Sequence, residues 1–179
     1  LRIAPAFGRA LLTLAFVDYL ESDLDTYHEL AVAFLVKGPR GRGVYIHQLP
    51  VDQGFTMAAG REIWGFPKFL AEIDIGTDGR QTTCTLRHDG AQVLRLAIGD
   101  GWIPFPQPAI PTYTYLDGVL RVTDWSMHGS SRQRFGGANL TLGSGPIADQ
   151  LRALGLPKGA LAVSSVPSYS ARFGPAEKV

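Results

Sequence analysis

The sequence predicts a mainly β fold, a β-rich α+β domain built as an antiparallel cone or barrel of about ten strands with one or two short helices. Three observations predict it. Apolar runs of strand length recur along the chain, separated by clusters of Gly, Pro, Asp and Ser. Asp-Gly dipeptides sit between alternating segments, where tight hairpins need positive φ. Only two stretches carry helix signals. At 179 residues, 45% apolar and 10% aromatic, the chain has material for one continuous core, so a single domain over residues 1–179 is expected.

The strands follow in order. Leu11 to Tyr19, His28 to Val36 and Gly43 to Leu49 open the chain. Phe69 to Ile75, Gln81 to Arg87 and Gln92 to Ile98 come next, with Asp78-Gly79 and Asp89-Gly90 as their turns. Thr112 to Tyr115 and Val119 to Met127 flank Asp117-Gly118, and Phe135 to Leu142 and Leu161 to Phe173 complete the set. One helix is expected over Pro146 to Gly155, with Pro in its first turn, Ile147, Leu151 and Leu154 on one face, and Gly as its stop. The other is expected over Asp52 to Ile63. Gly101 to Pro108 is too proline-rich for either state and reads as a connection. Gly136-Gly137 reads as a bulge or strand kink.

Charge and composition exclude several functions. With 17 basic and 16 acidic residues the net charge is +1, which builds no field for a nucleic acid or an anionic membrane. The apolar run Leu30 to Val36 is far short of the ~18 residues a membrane helix needs, and a cytoplasmic protein is expected. Cys84, the single cysteine, lies in an alternating stretch and reads as a small buried strand residue. The four histidines show no metal-ligand spacing, so no metal is expected. The chain begins at Leu1 without Met, and it is expected to lack N-terminal strands.

Lys68 stands apart. The chain holds four lysines against thirteen arginines, and Lys37, Lys158 and Lys178 lie by turns or in the tail. Lys68 is placed among Trp64, Phe66, Pro67, Phe69 and Leu70. An ammonium in such a setting either snorkels to water or loses hydration, and loss of hydration disfavours the charged form. Only a neutral amine attacks a carbonyl. The product is an imine, whose protonated form accepts the electron pair released by C–C cleavage or by proton loss. Packing of the lysine stem on Trp64 or Phe66, with its amine in water, explains the same residues.

Gly60-Arg61-Glu62, followed by Phe66-Pro67-Lys68, resembles the acetoacetate decarboxylase superfamily, in which such a segment carries the Schiff-base lysine. Thr26-Tyr27-His28-Glu29 resembles the family's Tyr-x-Glu at the start of a strand, and the hairpin at Asp89-Gly90 has its counterpart. The resemblance implies a β-rich cone or barrel assembled into homo-oligomers. It also implies an apolar cavity around the lysine, no dissociable cofactor, and a small keto acid or related carbonyl compound as substrate. It assigns Lys68 as nucleophile and Glu29 as its acid/base partner, with Arg61, Glu62, Trp64, Phe66 and Phe69 around the pocket. Glu29 shares a strand face with Ala31, Ala33 and Leu35, where a charge needs a reason; a wet strand end with an arginine partner is the plainer one. A local ion pair or helix-end interactions account for Arg61 and Glu62 equally well.

Three positions depart from the family. Its second lysine is Phe69 here, which leaves burial as the activator of Lys68. A second carboxylate falls on Leu14, and the arginine that holds a substrate carboxylate would precede Leu1. The expected activity is therefore a Schiff-base lyase, most simply a decarboxylase of a small β-keto acid such as acetoacetate. An aldolase or dehydratase using the same lysine, and a non-catalytic β-barrel that binds an apolar carbonyl ligand, are the alternatives.

Overall fold

A computed structural model describes residues 1–6, 8–106, 109–156 and 159–179. The end of the expected connection, at Gln107 and Pro108, and the setting of Lys158 lie outside the described residues. The strands are β1 Arg2–Ile3, β2 Leu12–Tyr19, β3 Tyr27–Gly38, β4 Gly41–Val51, β5 Lys68–Leu70, β6 Glu72–Asp78, β7 Gln81–His88, β8 Ala91–Gly99, β9 Ile103–Phe105, β10 Thr112–Leu116, β11 Val119–Gly129, β12 Ser131–Phe135, β13 Ala138–Leu142, β14 Ala162–Ser165 and β15 Tyr169–Lys178. The helices are α1 Gly54–Ala59 and α2 Pro146–Ala153, and a π-helical turn, Gly60–Trp64, follows α1 directly. The chain forms two compact units: Leu1–Leu70, Pro108–Met127 and Ala171–Val179 in the first, Ala71–Gln107 and His128–Ser170 in the second.

The first unit holds an eight-stranded sheet in the order β1-β3-β4-β10-β11-β15, with β2 also on β3 and β5 also on β4. Strand β4 is long enough to take two partners along one edge: β10 lies parallel to it at Val44 and Tyr45, and β5 lies parallel to it at Leu49 to Val51. The pairings of β3 with β1, β2 and β4, and of β10 with β11, are antiparallel. Asp117-Gly118, both at positive φ, close the last of these as the sequence requires.

Strand alternation gives this sheet two unlike faces. Val36, Tyr113 and Val122 form a buried core on one, with Phe34, Tyr45 and Leu120 packed against them. The Tyr113 hydroxyl accepts from Arg40 N and donates to Gly41 O, at 3.0 and 3.2 Å, which satisfies it at the rim of that core. By register, the other face carries Glu29, Ala31 and Ala33 of β3, Thr112 and Thr114 of β10, and Arg121, Thr123 and Trp125 of β11. This second face bears the candidate site.

The second unit holds an antiparallel sheet, β13-β8-β7-β6, a smaller one, β14-β12-β9, and α2. Asp89 and Gly90 both take positive φ between β7 and β8 as expected. The β6–β7 turn is displaced by one residue: Asp78 pairs with Gln81, so Gly79 and Arg80 are the central pair. Cys84 is fully buried on β7, and burial pushes its thiol up to about 12, which leaves an inert side chain. Helix α2 starts on Pro146 and buries Ala148 and Leu151, while Leu154 caps it and stays exposed.

The mainly β class and both helices stand, but no sheet closes into a barrel among the described residues. A count of strands does not specify which edges meet, and among the described residues the count itself rises to fifteen. Three expected strands are each divided, at Ala71, at Gly136-Gly137 and between Ser165 and Tyr169. Gly136 and Gly137 both take positive φ at a bend between β12 and β13, which pair in different sheets, as the expected kink allows. Ile103 to Phe105, inside the expected connection, pairs with β12 as a sheet edge, where Pro104 is tolerated.

Candidate active site

The lysine segment is positioned by a helix, a wide turn and a left-handed glycine. Gln53 caps α1, its side-chain oxygen accepting from Thr56 N at 2.6 Å while its amide nitrogen donates to Leu24 O at 3.3 Å. This fixes the short helix so that Thr56 points inward, with no exposed surface. The π-helical turn then begins at Gly60. A Cβ at this position would lie 2.6 and 2.7 Å from Cδ and Cε of Lys68, so only glycine lets the lysine stem pass. Gly65 ends the turn at φ 68°, its N–H bonded to the Arg61 and Gly60 carbonyls. Phe66 and Pro67 follow, and Lys68 opens β5.

Lys68 pairs with Leu49, and Glu29 pairs with Val51, so β4 runs between the two ionisable residues. Two strand spacings of about 4.8 Å separate their backbones, a gap that an extended lysine and a glutamate close from opposite sides. Lys68 Nζ lies 2.9 Å from Glu29 Oε2 and donates to Thr56 Oγ1 at 3.0 Å. It also sits 5.0 Å from the centroid of the Tyr27 ring. Lys68 is 4% exposed. Desolvation raises the Glu29 carboxyl above the ordinary carboxylate range, opposed by the Lys68 charge and by hydrogen bonds from Lys68 and Tyr19. Tyr19, across the β2–β3 ladder, reaches Glu29 Oε1 at 3.5 Å and stacks on Tyr27 with centroids 4.3 Å apart.

His28 faces away from Glu29 and anchors the strand. Its backbone N–H donates to Asp52 Oδ1 at 2.8 Å and its Nδ1 lies 2.6 Å from Asp52 Oδ2, tying β3 to the residues that lead into α1. Glu29 and Thr56 therefore reach Lys68 from elements that His28 and Asp52 hold together.

The other expected site residues divide. Trp64 and Phe66 stack on each other with centroids 5.7 Å apart and join Phe173, which stacks in turn on Trp125. The ring described beside the amine is Tyr27, contributed by β3. The Trp64 indole donates to Gly174 O at 2.8 Å. Phe69 follows Lys68 in a strand and so projects from the opposite face. Arg61 and Glu62 are exposed on the π-helical turn, and among the described residues neither forms an ion pair. Leu14 pairs with Val32, on the face away from Glu29, so a carboxylate there would point away from the amine. Sequence reasoning missed Thr56, an inconspicuous helical residue with no signal of its own. Tyr27 could have been found from its i−2 relation to Glu29, which puts both on one strand face.

Comparisons with known proteins bear on the family and the fold. The family model described as acetoacetate decarboxylase (ADC) matches residues 1–170. Acetoacetate decarboxylase 3 of Mesorhizobium japonicum is 37% identical over 62 residues, which are 35% of this chain and 24% of that protein's length. The crystal structure of acetoacetate decarboxylase from Legionella pneumophila superposes with a TM-score of 0.74 at 17% identity, over 94% of this chain and 73% of that one. The enduracididine biosynthesis enzyme MppR gives a TM-score of 0.66 at 15% identity, over 86% and 65%. An acetoacetate decarboxylase-like enzyme from Sphingomonas wittichii gives 0.66 at 15%, over 86% and 68%. These structural likenesses concern the fold, and with the family match over most of its length the chain belongs to the acetoacetate decarboxylase family.

Proposed function

We propose that this protein is a Schiff-base lyase in which Lys68 attacks the carbonyl of a small keto acid, most simply decarboxylating a β-keto acid such as acetoacetate. The observation that carries this reading is the buried contact of Lys68 Nζ with Glu29 Oε2 at 2.9 Å. A desolvated carboxyl, raised above its ordinary range, takes a proton readily. Transfer from the ammonium to Glu29 turns a buried ion pair into a neutral pair, a form that low dielectric favours. It also frees the amine's lone pair without a second lysine, the place of which Phe69 occupies.

The amine then adds to the ketone carbon. The carbinolamine loses its hydroxyl as water, with the proton supplied by Glu29, and a protonated imine remains. The bond to the carboxylate breaks, CO₂ departs, and the electron pair of that bond moves onto the imine nitrogen to give an enamine. A proton returns to carbon, and water hydrolyses the imine to release the ketone and restore Lys68. Thr56 holds the amine in line throughout, because its hydroxyl accepts from the ammonium and can donate to the free amine.

A second reading, an aldolase or dehydratase using the same lysine, is favoured by one observation. MppR, which shares the fold, has been crystallised with pyruvate and with the condensation product of pyruvate and imidazole 4-carboxaldehyde. One experiment tests both readings. The protein is incubated with acetoacetate, pyruvate or an aldehyde, reduced with borohydride and mapped by mass. The expected adduct lies on Lys68 and is lost completely in Lys68→Met. No adduct with any of these compounds would leave a non-catalytic carbonyl-binding domain. CO₂ release against enal formation then separates the two lyase readings.

A further inference from the structure

Arg121, Thr123 and Trp125 occupy alternate positions on β11, and by register they share the sheet face that carries Glu29 and Lys68. Arg121 Nε, Thr123 Oγ1 and Trp125 Nε1 are buried, and among the described residues they find no hydrogen-bond partner. Thr123 has no exposed surface at all. Buried polar atoms are paired in the great majority of native structures, so three unpaired ones in succession along one strand face call for a partner. Their chemistry specifies it. Arg Nε–H and Trp Nε1–H only donate, and a threonine hydroxyl can donate, so the partner must accept. A guanidinium among them selects an acceptor with negative charge.

Their surroundings point to the same ligand. Thr114, directly opposite Arg121, has its hydroxyl bonded to Trp64 O at 3.0 Å and so is not the missing partner. Asp124 lies on the other face, paired with Arg40. A Cβ placed at Gly65 would lie 3.5 Å from Arg121 Cδ, so the turn that leads three residues later into Lys68 covers the arginine. Trp125 stacks on Phe173, which also meets Trp64 and Phe66, and these rings give the donor row a wall that weakens competition from water. Same-face neighbours on a strand are about 6.7 Å apart, a spacing that a planar carboxylate bridges between Arg121 and Thr123.

We propose that Arg121 and Thr123, with Trp125 beside them, form a carboxylate subsite that holds the acidic end of a keto acid while Lys68 takes its carbonyl. This rests on the Schiff-base reading and deepens it, because it places an arginine for an acidic substrate within the chain. Binding through the subsite needs no imine, so the two ideas can fail separately.

The test compares each keto acid with its own methyl ester in borohydride-trapping titrations: pyruvate with methyl pyruvate, and acetoacetate with methyl acetoacetate. In the wild type the acid is expected to half-saturate at least about tenfold below its ester, as charge-assisted hydrogen bonds imply. That ratio should collapse towards one in Arg121→Met and fall several-fold in Thr123→Val. Pyruvate binding to Lys68→Met, followed by tryptophan fluorescence, should persist and should vanish when Arg121→Met is added. Thr123→Val replaces an unpaired hydroxyl by a methyl of similar shape, so its melting temperature should hold or rise; if Arg121→Met does not fold, this variant decides. Equal trapping of acid and ester in the wild type, or a ratio that neither variant moves, overturns the subsite. So does preferential binding of inorganic phosphate by Lys68→Met. Pyruvate binding that depends on Arg121 without any Lys68 adduct would sink the Schiff-base reading and leave the subsite standing.

Discussion

The two faces of the first unit's sheet share the same strands and differ in what their burial accomplishes. On one face Val36, Tyr113 and Val122 pack as a conventional core, and the one polar atom in that cluster, the Tyr113 hydroxyl, is satisfied by backbone. On the other, Glu29, Lys68, Thr56, Arg121, Thr123 and Trp125 place charges and unpaired donors where apolar side chains would be more stable. Alternation along β3, β10 and β11 keeps the two apart. The first face holds the sheet together, and the second gives up part of that stability to the candidate site.

Substitutions that act on one face at a time would break or sharpen this contrast. The largest effect is expected from Tyr113→Ala, which empties the centre of the core. By analogy with other aromatic truncations it should cost about 3–5 kcal/mol in urea unfolding, while borohydride trapping on Lys68 continues in the molecules that remain folded. Loss of trapping without loss of stability would overturn the division. Thr56→Val should do the opposite. Without the hydroxyl that holds the amine in line, the free amine is less well aimed, and adduct formation should slow by about tenfold or more, with the fold retained by circular dichroism.

The smallest effect is a pH dependence. Burial raises the Glu29 carboxyl in the folded state above its ordinary value of 4.5, so the folded protein binds this proton more readily than the unfolded chain. The resulting stability is fully present below 4.5 and is lost as pH rises through the raised value. Measured against Glu29→Gln, the wild type should therefore lose relative stability as pH rises through that window. A relative gain would mean that attraction to Lys68 outweighs desolvation.

The sequence showed the β class, the strand positions and the lysine segment because alternation, Asp-Gly turns and a Gly-Arg-Glu to Phe-Pro-Lys run are local. Distant relations were not legible. The choice of β10 and β5 as successive partners of one edge of β4 depends on pairing across more than sixty residues of chain in the first case, and no local signal encodes it. The π-helical turn was likewise hidden, since Asp52 to Ile63 has ordinary helical composition. Glu29 was legible as a charge among small residues. Its contact with Lys68 across an intervening strand, and Thr56 as third partner, required coordinates. The aromatic neighbours of Lys68 in sequence proved to be neighbours mainly of Phe173 and Trp125, because adjacency along the chain at a turn is not adjacency in space.

Gly60 has one further consequence. Its bare backbone lies against the lysine's Cδ and Cε, while Glu29 and Thr56 grip the far end. A free lysine side chain carries about 2 kcal/mol of rotamer entropy, and here that freedom is surrendered when the chain folds, long before a substrate arrives. In the proposed function the amine acts as a fixed post and not as a swinging arm. Under the proposed mechanism, what remains to be ordered in each encounter is the incoming carbonyl compound alone.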